Sequence, residues 1–105
     1  MAAFSAEDRL TTLDRLVDQL REDERIDALV LVGSLAGNTA DRWSDIDLEV
    51  LVAGTADSES VAAEWVQRAY ADSPVVSHFE VAFGSSLVRG FLLRNLLEID
   101  PRLCP

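Results

Sequence analysis

Residues 45–52 read Asp-Ile-Asp-Leu-Glu-Val-Leu-Val, and no other stretch constrains the fold as tightly. Successive side chains of a strand point to opposite faces, so Ile46, Leu48, Val50 and Val52 share one face while Asp45, Asp47, Glu49 and Leu51 share the other. The chain must therefore build a sheet with one face packed on a core and the other left for water or a ligand. Aspartate is disfavoured in strands, and two on one face lie roughly 6–7 Å apart, close enough to repel in a partly buried setting. Something cationic has to compensate, either an arginine such as Arg42 or a metal ion.

The flanking segments predict the rest of a layered fold. Ser5-Ala6-Glu7-Asp8 has the form of a capping box ahead of an apolar stripe at Leu10, Leu13, Leu16, Val17 and Leu20, which predicts a helix over residues 6–23. The unbroken apolar run 28–32, ending at Gly33, predicts a strand buried on both faces, and the polar residues 34–44 a loop. After a break at 54–57, Ser58 is placed to cap a second helix whose Val61, Ala62, Trp65, Val66 and Ala69 face the core, and Pro74 bars its continuation. Residues 75–83 alternate as a third strand, 87–93 fit either a strand or a short helix, and Asn95 marks a turn. Residues 96–100 predict a last strand stopped by Pro101. The expected fold class is a two-layer α+β domain, a mixed sheet of about four to five strands with two main helices, spanning residues 1–105 as one unit.

Charge narrows the partners. Nineteen acidic residues against nine arginines, with no lysine, give a formal charge of −10. That balance opposes attraction to a polyphosphate backbone and disfavours a nucleic-acid grip. No run of about 18 apolar residues is present to span a bilayer, and the N-terminal residues lack the basic flank and apolar stretch of a signal peptide. A cytoplasmic protein without a membrane partner is expected. Cys104 has no second cysteine to pair with and no neighbour at metal spacing.

The chemistry concentrates in residues 33–47. Mg²⁺ takes one or two carboxylates and completes its shell with waters and phosphate oxygens, which suits Asp45 and Asp47 beside a loop. Two such ions about 4 Å apart could hold both the attacking and the leaving oxygen of a phosphoryl or nucleotidyl transfer. Gly33 lets a backbone approach a phosphate closely, and the N–H groups of Ser34 and Leu35 can point at it if they open a helical turn. Trp43 suits either base stacking or cover for the core. His78, on the Glu80 face of its strand, has the chemistry of a general base but no partner at a recognisable spacing, and reads as a surface histidine.

Gly33-Ser34 followed by Ser44-Asp45-Ile46-Asp47-Leu48 resembles the signature of the nucleotidyltransferase superfamily related to DNA polymerase β, in which a Gly-Ser precedes an Asp-x-Asp on a helix, strand, loop, strand order. The chain is most similar to the small bacterial members, the antibiotic-type and minimal nucleotidyltransferases. The resemblance implies a reaction in which an acceptor hydroxyl, on a small molecule or a protein, attacks the α-phosphate of a nucleoside triphosphate, commonly ATP, and pyrophosphate leaves. By the same resemblance Asp45 and Asp47 bind two Mg²⁺ ions and Gly33 and Ser34 hold the triphosphate; Ser44 is a further nucleotide-binding candidate, and Arg42 could replace the cationic phosphate contact that many small members have. A third carboxylate is expected on a later strand. Asp100 in Leu97-Glu98-Ile99-Asp100 is the first choice, with Glu98 and Glu80 as the alternatives, while Glu49 lies further along its strand in a supporting position.

Gly37-Asn38 stands where many small members carry Arg-Gly, and the sequence stops at Pro105, where related enzymes continue into a helical region that shapes the acceptor site. This raises the expectation of a small helical protein partner or a homo-oligomer. It also keeps two alternative functions in view: the antitoxin or regulatory half of a complex, and a catalytically inactive nucleotide-binding domain.

Overall fold

A computed structural model describes residues 4–33 and 45–105. Among these residues two helices, α1 (Ala6–Arg21) and α2 (Ser58–Asp72), pack on a sheet of five strands: β1 (Ile26–Val32), β2 (Ile46–Val52), β3 (Val75–Phe83), β4 (Ser86–Leu93) and β5 (Glu98–Cys104). The strand order is β1-β2-β5-β4-β3. Among the described strands only β2 and β5 run parallel; β1–β2, β4–β5 and β3–β4 are antiparallel. The expected two-layer fold is therefore the one observed. Among the described residues no helix is long and apolar enough to cross a membrane.

The alternation of residues 45–52 sets the layering. Ile46, Leu48, Val50 and Val52 are all buried against the helices, whereas Asp45, Asp47 and Glu49 on the other face are only half-buried. Phe4, Leu20, Leu93, Leu97 and Ile99 complete the main core with Ile46, Leu48 and Val50, and a second cluster joins Val52 and Leu103 to Val61 and Ala62 of α2. Trp65, expected in the core, packs partly buried against both clusters. Arg25, in the turn before β1, bonds Asp23 at 2.8 Å and also pairs with Glu64, tying the end of α1 to α2.

Local signals account for the element ends. The Ser5 hydroxyl accepts from the Asp8 N–H at 3.0 Å, and the Asp8 carboxylate accepts from the Ser5 N–H at 2.9 Å, which closes the expected capping box. The helix stops at Arg21, two residues earlier than predicted, and Leu10 of its apolar stripe is exposed. Asp57, not Ser58, caps α2, its carboxylate accepting from the Glu59 N–H at 3.3 Å. Residues 87–93 belong to a strand, β4.

Two strands depart from expectation. β1 is an edge strand with Val30 44% exposed, not a strand covered on both faces. An apolar run reports burial on average and carries no signal for edge or centre. β5 does not stop at Pro101 but runs through it to Cys104. Its ladder with β4 pairs Leu87–Leu103 and Val88–Arg102 at one end and Phe91–Ile99 and Leu92–Glu98 at the other, with no pair at Pro101. The missing proline N–H falls in that gap, while Pro101 stays in register with Leu48 on the β2 side. Residue 96, expected in the strand, is instead in the preceding turn, where Leu96 has a φ of 74°.

Candidate functional site

The parallel ladder between β2 and β5 brings the acids together. It pairs Ile46 with Ile99 and Asp47 with Asp100, so the buried residues of both strands face the helices and their acids share the open face. Oxygens of Asp45, Glu98 and Asp100 all lie within 4.8 Å of one another. Asp47 stands directly across the ladder from Asp100. Its carboxylate leans toward β1, because a Cβ built on Gly33 would meet Asp47 Oδ2 at 2.6 Å. Gly33 has a φ of 73°, so both its backbone and its contact with Asp47 require glycine.

Packing four acids on one face has an electrostatic consequence. Burial, then a hydrogen bond donated by the protonated acid to Glu98 and the negative charges of Glu98, Asp47 and Asp45, push the Asp100 carboxyl up to about 8. Burial, followed by the charges of Glu98 and Asp47, also raises Asp45 above its ordinary value. The Asp100 Oδ1 is buried and has no hydrogen-bond partner among the described residues. Clustered hard oxygen donors, an unpartnered buried oxygen and carboxyls that resist ionising together are what a divalent cation with oxygen ligands would relieve. The residues present therefore fit Mg²⁺.

Asp47, Asp100 and Gly33 line an open depression of about 280 Å³ with Val32, Glu49 and Arg102. Another cleft, between the helices and the sheet, is lined mainly by apolar side chains such as Trp65, Phe91 and Leu93 and brings no acid cluster together. Ser34, Arg42, Trp43 and Ser44, assigned to the nucleotide by resemblance or chemistry, lie outside the described residues. Glu80 is excluded as a third carboxylate. It pairs with Arg89, and its neighbour His78 pairs with Phe91 of the core, which places Glu80 on the helix side of the sheet. Glu49 continues the acidic face opposite Arg102.

Glu98 was an alternative in the sequence; the structure makes it a member of the cluster beside Asp100. Arg102 escaped notice because the strand was expected to end at Pro101. Once β5 continues, its period of two places Glu98, Asp100 and Arg102 on one face, and Arg102 is exposed, its guanidinium 5.6 Å from the centre of the Phe83 ring. The alternation Glu98-Ile99-Asp100-Pro101-Arg102 held that signal.

Comparison with known proteins agrees with this geometry. The family described as "Nucleotidyltransferase domain" matches residues 13–98. Among solved structures, the chain resembles the Cid1 poly(U) polymerase with Mg 3'-dATP bound, at 21% identity and a TM-score of 0.73, covering 92% of this chain and 30% of that one. It also resembles an aminoglycoside 6-adenyltransferase from Bacillus subtilis, at 18% identity and a TM-score of 0.63, over 89% of this chain and 33% of that one. A third likeness is to the polymerase core of TRAMP, an RNA surveillance complex, at 17% identity and a TM-score of 0.62, over 95% and 32%. The chain thus spans about a third of the length of these enzymes. No curated protein matches it in sequence. With 13–98 matched by the family and the acidic β2–β5 face built as described, the chain belongs to the nucleotidyltransferase domain family.

Proposed function

We propose that this domain transfers a nucleoside monophosphate, AMP from ATP in the first instance, to a hydroxyl of a small molecule or a protein, with release of pyrophosphate. The observation that carries this reading is the convergence of Asp45, Glu98 and Asp100 oxygens within 4.8 Å, with Asp47 opposite Asp100 on the same face. Asp45, Asp47 and Asp100 would hold a pair of Mg²⁺ ions, with Glu98 at their side. When bound, Mg²⁺ supplies the positive charge that draws in the triphosphate and stabilises charge on the α-phosphate and the departing pyrophosphate.

The chain's own residues do the rest. Gly33, with no side chain, lets the Asp47 carboxylate lie against its backbone and so sets where that carboxylate stands. Ser34 and Ser44 are assigned to the triphosphate by their place in the motif, and Arg42 as the cation that stands in for the arginine this chain lacks at Gly37. Asp100 Oδ1, buried and without a hydrogen-bond partner among the described residues, is the atom that a Mg²⁺ ion would take as a ligand. Arg102, two residues along the same face, is a cation within reach of an anionic substrate group.

Incubation with α-labelled ATP, Mg²⁺ and a cell extract tests this reading. Transfer of label with stoichiometric pyrophosphate release is expected, and release of pyrophosphate from ATP that is no greater with the protein than without it would overturn the reading.

A second reading, the smaller half of a complex with a helical protein, is favoured by β3. Val76, Phe79, Val81 and Phe83 are all exposed on this edge strand, an apolar strip of the kind that contacts partners. The two readings are compatible, since a bound partner could also be the acceptor.

A further inference from the structure

Away from the acidic face, on the helix side of the sheet, one set of side chains has no role in the reading above. Tyr70, near the end of α2, places its hydroxyl 2.8 Å from His78 Nδ1 on β3. His78 Nε2 lies 3.2 Å from Glu80 Oε2, and Arg89 Nε of β4 approaches the same oxygen at 3.8 Å. The rings of Tyr70 and His78 meet edge to face with centroids 5.4 Å apart. Tyr70 is the chain's single tyrosine and His78 its single histidine. The sequence offered His78 no partner because Tyr70 and His78 are eight residues apart on different elements, and only the packing of α2 against β3 joins them.

This order of groups is a hydroxyl, a base in contact with it, and a carboxylate that orients the base. With Nε2 donating to Glu80, the imidazole exposes the Nδ1 lone pair to the phenol, which is the tautomer that can take its proton. Tyr70 is 45% exposed, so the residue is open to an incoming group. The neighbouring cleft is lined mainly by apolar side chains such as Trp65, Phe91 and Leu93, which suits Tyr70 to be acted upon by another active site rather than to act on a small polar substrate.

We infer that Tyr70 is a nucleotidyl acceptor, modified by the acidic site of a second copy of this chain. The inference rests on the nucleotidyltransferase reading proposed above. A second copy is required because Tyr70 and the Asp45–Asp100 cluster lie on opposite sides of the sheet. In the transfer the Tyr70 Oη–Pα bond forms and the bond from Pα to the bridging oxygen breaks. Pyrophosphate leaves with that electron pair, and the phenolic proton passes to His78 Nδ1.

Three variants of the full chain test it with α-labelled ATP and Mg²⁺: Tyr70→Phe, the double variant Asp45→Asn with Asp47→Asn, and His78→Gln. The wild-type chain is expected to label itself on Tyr70, at a rate that rises with the square of protein concentration. Tyr70→Phe alone and the double Asp variant alone should stay unlabelled, whereas mixing them should label the double Asp variant. His78→Gln, which keeps a hydrogen-bonding side chain without a base, should lower the rate about 100-fold. Circular dichroism and Mg²⁺-dependent ATP binding serve as controls for folding and for the transferase site. Label on Tyr70→Phe, an unlabelled mixture, or an unlabelled wild type that still binds Mg²⁺-ATP would overturn the inference and leave the transferase reading standing. A wild type that binds no Mg²⁺-ATP would overturn both.

Discussion

Asp47 of β2 and Asp100 of β5 are direct partners across the parallel ladder of the sheet, both on its open face. A parallel ladder evenly repeats its partners, so one aligned pair of acids brings its neighbours Asp45 and Glu98 into line as well. The arrangement is costly without a cation, and its consequences can be measured.

The first concerns pH. Asp100 holds its proton to about 8 in the folded chain, against an ordinary value of 3.8. The folded state therefore binds more protons than the unfolded one between these values, and stability contributed by this group is present below about pH 4 and lost as pH rises toward 8. Asp100→Asn, which imitates the protonated acid, should stabilise the metal-free protein at pH 8 by about 1–2 kcal/mol, discounted for partial exposure, and have little effect at pH 4. Thermal melts at the two pH values check this, and added Mg²⁺ should raise the melting temperature of the wild type more than that of the variant.

Gly33 provides a second measurement. Its φ of 73° and the 2.6 Å approach of Asp47 Oδ2 to a built Cβ leave no room for a side chain. Gly33→Ala should cost about 1–3 kcal/mol in stability. Because the methyl group would displace the Asp47 carboxylate, Mg²⁺-ATP should also bind about tenfold more weakly, a loss readable by calorimetric titration.

The third concerns the sheet beyond the acids. Gly90 of β4 pairs with Phe79 of β3, and a Cβ on Gly90 would sit 2.0 Å from the Phe79 ring. The phenyl group lies over the bare backbone, as aromatic side chains do when they cover a strand glycine. Gly90→Ala should destabilise by about 1–3 kcal/mol. Phe79→Ala should remove most of that penalty when combined with it, and a double-mutant cycle in urea gives the coupling.

Much of this architecture was legible in the sequence, and the places where it was not have physical causes. The alternation at residues 45–52 required a sheet with one acidic face, and the Ser5–Asp8 pair marked the first helix cap. Edge or centre was not readable for β1, because Leu29 and Leu31 pack on the helices whether or not Val30 is covered. Pro101 was misleading because a proline ends a strand only where its N–H is needed, and that depends on a ladder with β4 that sequence does not reveal. The same register decided between the carboxylates. Asp100 and Glu98 share a strand face with each other, but only the pairing of β5 with β2 brings both to Asp45, and only the pairing of β3 with β4 turns Glu80 away.

The measurement that tests the central claim most directly is ATP binding with and without Mg²⁺, by calorimetric titration of the wild-type chain and of the chain carrying Asp45→Asn and Asp47→Asn. The account predicts that the wild type binds ATP only with Mg²⁺ and that the double variant, still folded, loses that Mg²⁺-dependent binding. Retention of Mg²⁺-dependent ATP binding by the folded double variant would contradict it.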